Sequence, residues 1–238
     1  RSSNWAGKNA KRRMQNMLSP YMPASTFNEY RKFLKSRGVN YVNLFLCNYG
    51  DGEYSKPGYS IYGPKWTGKL HKPTLKLFED RIKILMGDGH GIFLWSVADE
   101  SKPYTDGIAA NPRKFYNDLK ASGLLEYASA LCLGLEMYES FNSKQVAAQA
   151  KAAAAVFPRP IGTHQKSGNY NFSKLAGVSM CFFQVKPGAS AASLVATAWK
   201  IKKASGRYLI MFEIEREPAP EKCTAILKAG DAFSVGNV

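Results

Sequence analysis

One punctuation mark recurs along almost the whole chain: an amphipathic helix closed by a glycine and followed within a few residues by a hydrophobic strand. Ser25 or Thr26 can cap a helix whose apolar positions Phe27, Tyr30, Phe33 and Leu34 share one stripe, and Gly38 ends it. Val39 to Cys47 follows, with the unbroken apolar, β-branched and aromatic character of a strand covered on both faces. The unit returns at Leu75 to Met86 with Gly87, Gly89 and Gly91 to Val97, and at Pro112 to Ala121 with Gly123 and Ala130 to Met137. A helix at Lys144 to Phe157 breaks at Pro158 before Ile161 to His164, and a short one near Asn171 to Ala176 stops at Gly177 before Val178 to Val185. Ala191 to Ala204 with Gly206 then leads to Arg207 to Glu215, and Glu221 to Ala229 with Gly230 leads to Ala232 to Val235. Glycine suits the position after a helix because the chain there adopts φ above zero.

Such alternation implies parallel strands joined by right-handed crossovers. With seven marked strands in 238 residues, the expected fold class is α/β, a (β/α)8 TIM barrel forming one domain over residues 1–238, with 1–20 a basic N-terminal segment. An eighth strand is expected near Met14 to Leu18, where the signal is poor, and no helix follows the last strand. An open doubly wound sheet is the competing topology, but neither GxGxxG nor GxxxxGK[ST] follows any strand.

The formal charge of +15 is the compositional anomaly. It favours nucleic acid, anionic polysaccharide or an acidic surface as partner, although its basic clusters fall mostly on helices, where a solvated outer face also explains them. No RRM, KH or helix-turn-helix signature accompanies the charge, so nucleic acid is not the expected ligand. No run of about 18 apolar residues exists, so no membrane span is expected. The segment Arg1 to Arg13 lacks the apolar core of a signal peptide; a chain that begins at Arg1 is nonetheless compatible with an exported or virion-associated product. Cys47, Cys132, Cys181 and Cys223 lie far apart, without ligand spacing, and read as buried thiols; neither a structural metal nor a cofactor is expected.

Catalytic groups of such barrels stand at the C-terminal ends of strands. Those ends offer Asn48, then Trp95 with Asp99 and Glu100, then Glu136 and Glu139, then His164, then Gln184, then Glu213, Glu215 and Glu217. Of the 18 carboxylates in the chain, seven gather at three strand ends, which in so basic a protein points to a site. Two carboxyl groups facing each other across a sugar can serve as acid/base and nucleophile. Burial near aromatics would raise the pKa of one, while polar donors such as Asn48, His164 or Gln184 would keep the other ionised. The loop Tyr49 to Trp66 adds Tyr54, Tyr59, Tyr62 and Trp66, aromatic faces on which sugars stack.

At these residues the chain resembles the TIM-barrel glycoside hydrolases of the large retaining clan that includes cellulases and mannanases. Glu139 in GLEMYES and Glu213 in LIMFEIE are similar to that clan's acid/base and nucleophile. The resemblance implies hydrolysis of a polysaccharide or oligosaccharide, and the charge favours an anionic one. Where the clan has Asn-Glu on the fourth strand, this chain has Tyr138-Glu139, so the partner of the sugar 2-hydroxyl is unassigned. Glu136 and Glu215 remain alternatives, because alternation puts Glu213 and Glu215 on one face. Asn48, Trp66, Trp95, Asp99, His164 and Gln184 complete the expected substrate-binding set. A carbohydrate-binding or structural barrel without turnover, a module of a larger surface or viral assembly, is the alternative function.

Overall fold

The computed structural model describes residues 2–3, 20–36, 39–48, 59–64, 66–98, 101–165, 170–184, 188–214 and 232–235, with 2–3, 184, 210–214 and 232–235 described as backbone. Eight parallel strands form a closed ring: β1 (Ser2–Ser3), β2 (Tyr41–Phe45), β3 (Gly91–Trp95), β4 (Ala128–Cys132), β5 (Ile161–Gln165), β6 (Met180–Gln184), β7 (Tyr208–Ile214) and β8 (Ala232–Val235). Each strand pairs with its neighbour in sequence, and Ser2 closes the ring by pairing with both Tyr41 and Ser234. The chain is thus a (β/α)8 barrel.

The first strand departs from expectation. It lies at Ser2–Ser3 and not near Met14 to Leu18, which fall outside the described residues. Closing a barrel here asks only for backbone pairing over two residues, and two serines carry no hydrophobic signal. The expected helix Glu221 to Ala229 also falls outside the described residues.

Seven α-helices stand among the described residues: α1 (Ala24–Ser36), α2 (Lys72–Gly87), α3 (Lys102–Ala110), α4 (Pro112–Ala121), α5 (Met137–Ser140), α6 (Ser143–Ala154) and α7 (Ala191–Ser205). Their starts follow from local chemistry. The Asn111 side chain accepts from Lys114 N at 3.0 Å, and Asn142 with Gln145 makes a reciprocal capping box on α6. Their ends follow from glycine: Gly206 caps α7 at φ 63, and Gly89 follows α2 at φ 91, a left-handed backbone that costs a side-chain-bearing residue about 1–2 kcal/mol.

The main core runs through the barrel and under α1 to α6, while Cys181, Phe183 and Leu209 form a smaller cluster with Leu194, Ala198 and Ile201 of α7. Cys47, Cys132 and Cys181 are free and buried, with burial pushing each thiol up. Cys223 lies outside the described residues. At the N-terminal end of the strands, Tyr41, Phe93, Ala130, Pro160, Met180 and Tyr208 surround an open cavity of about 310 Å³. Among the described residues no helix is long and apolar enough to cross a membrane.

Candidate active site

The C-terminal end of the barrel is built on buried polar groups. Asn43 of β2 and Trp95 of β3 point into the barrel together, and Trp95 Nε1 donates to Asn43 Oδ1 at 3.0 Å. Trp95 is fully buried, with Phe182 at 4.8 Å, Phe45 at 5.3 Å and His164 at 5.8 Å between ring centroids. As the last residue of β3 it packs inside the barrel with no exposed surface.

The fourth strand ends at Cys132, short of the expected Met137. Beyond it the chain still follows the barrel, because Leu133 N donates to Gly162 O and Leu135 N to Val97 O, each at 3.0 Å. It then turns at Glu136, which adopts φ 40 and ψ 48 and is the one non-glycine residue with positive φ among the described residues. Strained backbone of this kind, worth of order 1–3 kcal/mol, persists where the surroundings over-determine it, and such positions cluster at functional sites. The surroundings are identifiable here: Glu136 N donates to Nδ1 of buried His164 at 2.9 Å, and Glu136 O accepts from Glu139 N at 2.9 Å. The helix α5 that follows is a single turn, anchored by buried Met137.

His164 is therefore a hydrogen-bonded residue of the mouth. Accepting at Nδ1 places its proton on Nε2, and burial pulls its pKa down to about 3, so the ring is neutral at ordinary pH. Tyr138 sits between the two glutamates of the turn. Burial pushes its phenol up first, and the Glu136 and Glu139 carboxylates add to the shift by charge and hydrogen bonding. Glu136 is half-buried beside it, whereas Glu139 is exposed.

The remaining expected residues divide three ways. Asn48 is fully buried, paired with Tyr59 in a short antiparallel ladder of Cys47–Asn48 with Tyr59–Ser60. That ladder returns the loop to the barrel wall, so Tyr59 and Tyr62, expected to line a cleft, are buried instead, and the Tyr62 hydroxyl donates to Asp118 at 2.6 Å. Trp66 is partly buried, edge-on to Tyr62 at 4.5 Å, and its indole fills the space a side chain at Gly107 of α3 would need. Gln184 closes β6 and Glu213 lies near the end of β7, both described as backbone. The ladder between β7 and β8 shifts register between Phe233 and Val235, whose partners Met211 and Ile214 bracket Glu213. Tyr54, Asp99, Glu100, Glu215 and Glu217 lie outside the described residues. Two contributors escaped the sequence reading: Asn43, a polar residue at an inward position of an apolar strand, and Tyr138 as a neighbour of both carboxylates. The signal for Asn43 was present in the alternation of YVNLF. Among the described residues no three His, Cys, Asp or Glu side chains gather as a metal site.

No protein-family model matches the chain, and no curated protein sequence does either. Its fold is shared with solved structures. A protein from Bacteroides vulgatus, described as a candidate glycoside hydrolase, superposes with a TM-score of 0.66 at 14% identity, over 92% of this chain and 50% of that one. An endo-1,4-β-mannanase from Eisenia fetida gives 0.66 at 11% identity, over 98% and 83%. A chitinase from Pseudoalteromonas aurantia gives 0.58 at 10% identity, over 100% and 93%. The chain spans half the length of the first of these structures. It has the fold of the TIM-barrel glycoside hydrolases.

Proposed function

We propose that this barrel is a glycoside hydrolase that cleaves a polysaccharide or oligosaccharide with two carboxylates, one from the turn after β4 and one from the end of β7. The observation that carries the reading is the Glu136 turn: a glutamate in left-handed backbone, its amide on a buried neutral histidine, at the end of a barrel where active sites stand. Evolution retains such strain where it sets geometry. The mannanase and chitinase of the same fold supply the substrate class by analogy.

Glu139 with Glu213 is the pair to which the clan resemblance points. The surroundings of the turn favour Glu136 over Glu139 as the acid/base, because Glu136 is half-buried in the strained turn with its amide on His164, whereas Glu139 is exposed. For Glu213 the register shift is the supporting feature. It falls between Met211 and Ile214, the β7 partners that bracket Glu213, and bulges of this kind recur at barrel rims and next to active sites. In the reaction, the protonated acid delivers its proton to the glycosidic oxygen while the ionised partner attacks the anomeric carbon or activates water. A separation of about 5 Å gives retention and about 6.5–9.5 Å gives inversion.

The test is reducing-end release from β-mannan, carboxymethyl cellulose and chitin by the wild type and by Glu136→Gln, Glu139→Gln and Glu213→Gln. The Glu136 and Glu213 variants should lose about 10²–10⁴ in rate. Release unchanged in both would sink the hydrolase reading, and a loss confined to Glu139→Gln with Glu213→Gln would restore the resemblance-based pair. Tyr138-Glu139 in place of Asn-Glu favours a second reading, a carbohydrate-binding barrel without turnover, which glycan binding with no hydrolysis on any substrate would establish.

A further inference from the structure

The charge of this protein is unevenly distributed around the barrel. Residues 140–212 contain ten lysines and arginines and no aspartate or glutamate. This stretch builds α6, β5, β6, α7 and β7 up to Phe212, a contiguous sector of the ring. Four ion pairs lie on the other side, within α1 to α4: Arg31–Asp88, Lys76–Asp80, Lys83–Glu79 and Lys114–Asp118. Apart from Glu213 near the end of β7, the sector holds no carboxylate to balance its ten cations, which leaves a positive field on its outer face. On its outer helix, Trp199 is 58% exposed, with exposed Lys200 beside it and Lys203 one turn on, on the same face. An exposed indole among lysines is an aromatic platform inside a positive field.

We infer that the outer face of α7, centred on Trp199, Lys200 and Lys203, is a binding site for a carboxylated polysaccharide, outside the barrel mouth; this rests on the reading of the protein as acting on glycans. The indole selects a glycan, because it offers its face to a sugar ring, and the lysines select one that carries anionic groups. Both arginines of the sector are turned inward. Arg159 donates to the carbonyls of Glu126 and Leu125, and Arg207 Nε donates to Ser173 O at 3.0 Å. The surface is left with lysine ammoniums, point charges that match single carboxylates repeated along a uronate chain, while the indole face takes the apolar face of a sugar ring.

Isothermal titration of the intact protein with polygalacturonate, with neutral dextran, single-stranded DNA and phosphatidylserine vesicles as comparators, tests this site. Polygalacturonate should bind and dextran should not. Trp199→Ala and the double variant Lys200→Gln/Lys203→Gln should each weaken binding about tenfold or more, as a central aromatic or charged anchor does. The double variant should also reduce the log–log salt slope by about 2. A charge-matched control on α1, Lys32→Gln/Lys35→Gln, should leave affinity within about twofold of wild type. All these positions are exposed, so the variants retain the fold, which circular dichroism checks. Equal weakening by the α1 control would overturn the site in favour of diffuse net charge. Tighter binding of DNA or vesicles through the same residues would overturn its assignment to glycans. Hydrolysis of a neutral glycan without polygalacturonate binding would remove this site and leave the hydrolase reading intact. Trp199-dependent binding with hydrolysis indifferent to Glu136 and Glu213 would do the reverse.

Discussion

The two ends of the barrel solve opposite problems. At the C-terminal end, Asn43, Trp95 and His164 are buried polar groups tied to one another or to backbone, and Glu136 holds a left-handed conformation above them. At the N-terminal end, the Tyr41 and Phe93 rings stack at 4.8 Å beside Ala130, Met180 and Tyr208, and an open cavity remains between them. Among the described residues, the mouth concentrates strain and desolvated polar atoms, while the floor is largely apolar and leaves an open cavity. A barrel that spends stability at one end, and leaves some unclaimed at the other, separates chemistry from folding along a single axis.

The sharpest way to break this comparison is Glu136→Gly. If the turn is strained for function, glycine should abolish hydrolysis, a loss of about 10² or more, while raising stability by about 1 kcal/mol, read as a higher urea midpoint. Lower stability in this variant would mean that the Glu136 side chain holds the turn and that no strain is stored there.

His164 supplies the next largest effect through pH. Its folded pKa of about 3 lies below the usual value near 6.5, so between those limits the unfolded chain binds a proton that the folded chain refuses. Its contribution to stability is complete above about pH 6.5 and falls by about 1.4 kcal/mol per pH unit toward pH 3. Urea unfolding at pH 7 and pH 4 should show this loss in wild type and a smaller one in His164→Gln. Identical pH dependence in the two proteins would show that His164 does not dominate the acid limb.

The floor predicts a gain. Ala130→Val places a β-branched residue on a strand beside the cavity and should stabilise by about 0.5–1 kcal/mol with hydrolysis unchanged. A destabilised variant would show that the void cannot accept the added methyl groups. The smallest effect concerns the thiols. Cys47, Cys132 and Cys181 are buried with raised pKa values, so each should resist maleimide in native buffer and react in urea, as peptide mapping by mass spectrometry would show.

Legibility followed the range of the interactions. The α2–β3 and α7–β7 units could be read because stripe, cap, glycine and apolar run all lie within some 25 residues, and Gly89 and Gly206 take the expected backbone. The stretch after Cys132 could not, since Leu133 to Met137 is as apolar as a strand. Only Gly162 and Val97, brought in from β5 and the segment after β3, decide that it leaves the ladder and turns. The loop tyrosines failed for the same reason: Tyr62 looks like a cleft residue until Asp118, 56 positions away, accepts its hydroxyl.

The amino-acid order by itself determined the parallel alternation and helix ends such as those at Gly89 and Gly206, because each is a short-range property of spacing and turn chemistry. The tertiary structure alone decided that two serines close the ring, that Trp95 is buried against Asn43, and that, of the two glutamates beside Tyr138, Glu136 is half-buried with its amide on a neutral histidine while Glu139 is exposed. Those outcomes depend on residues that meet only once the barrel has closed, where burial and a single backbone hydrogen bond distinguish two glutamates that the sequence presents three positions apart.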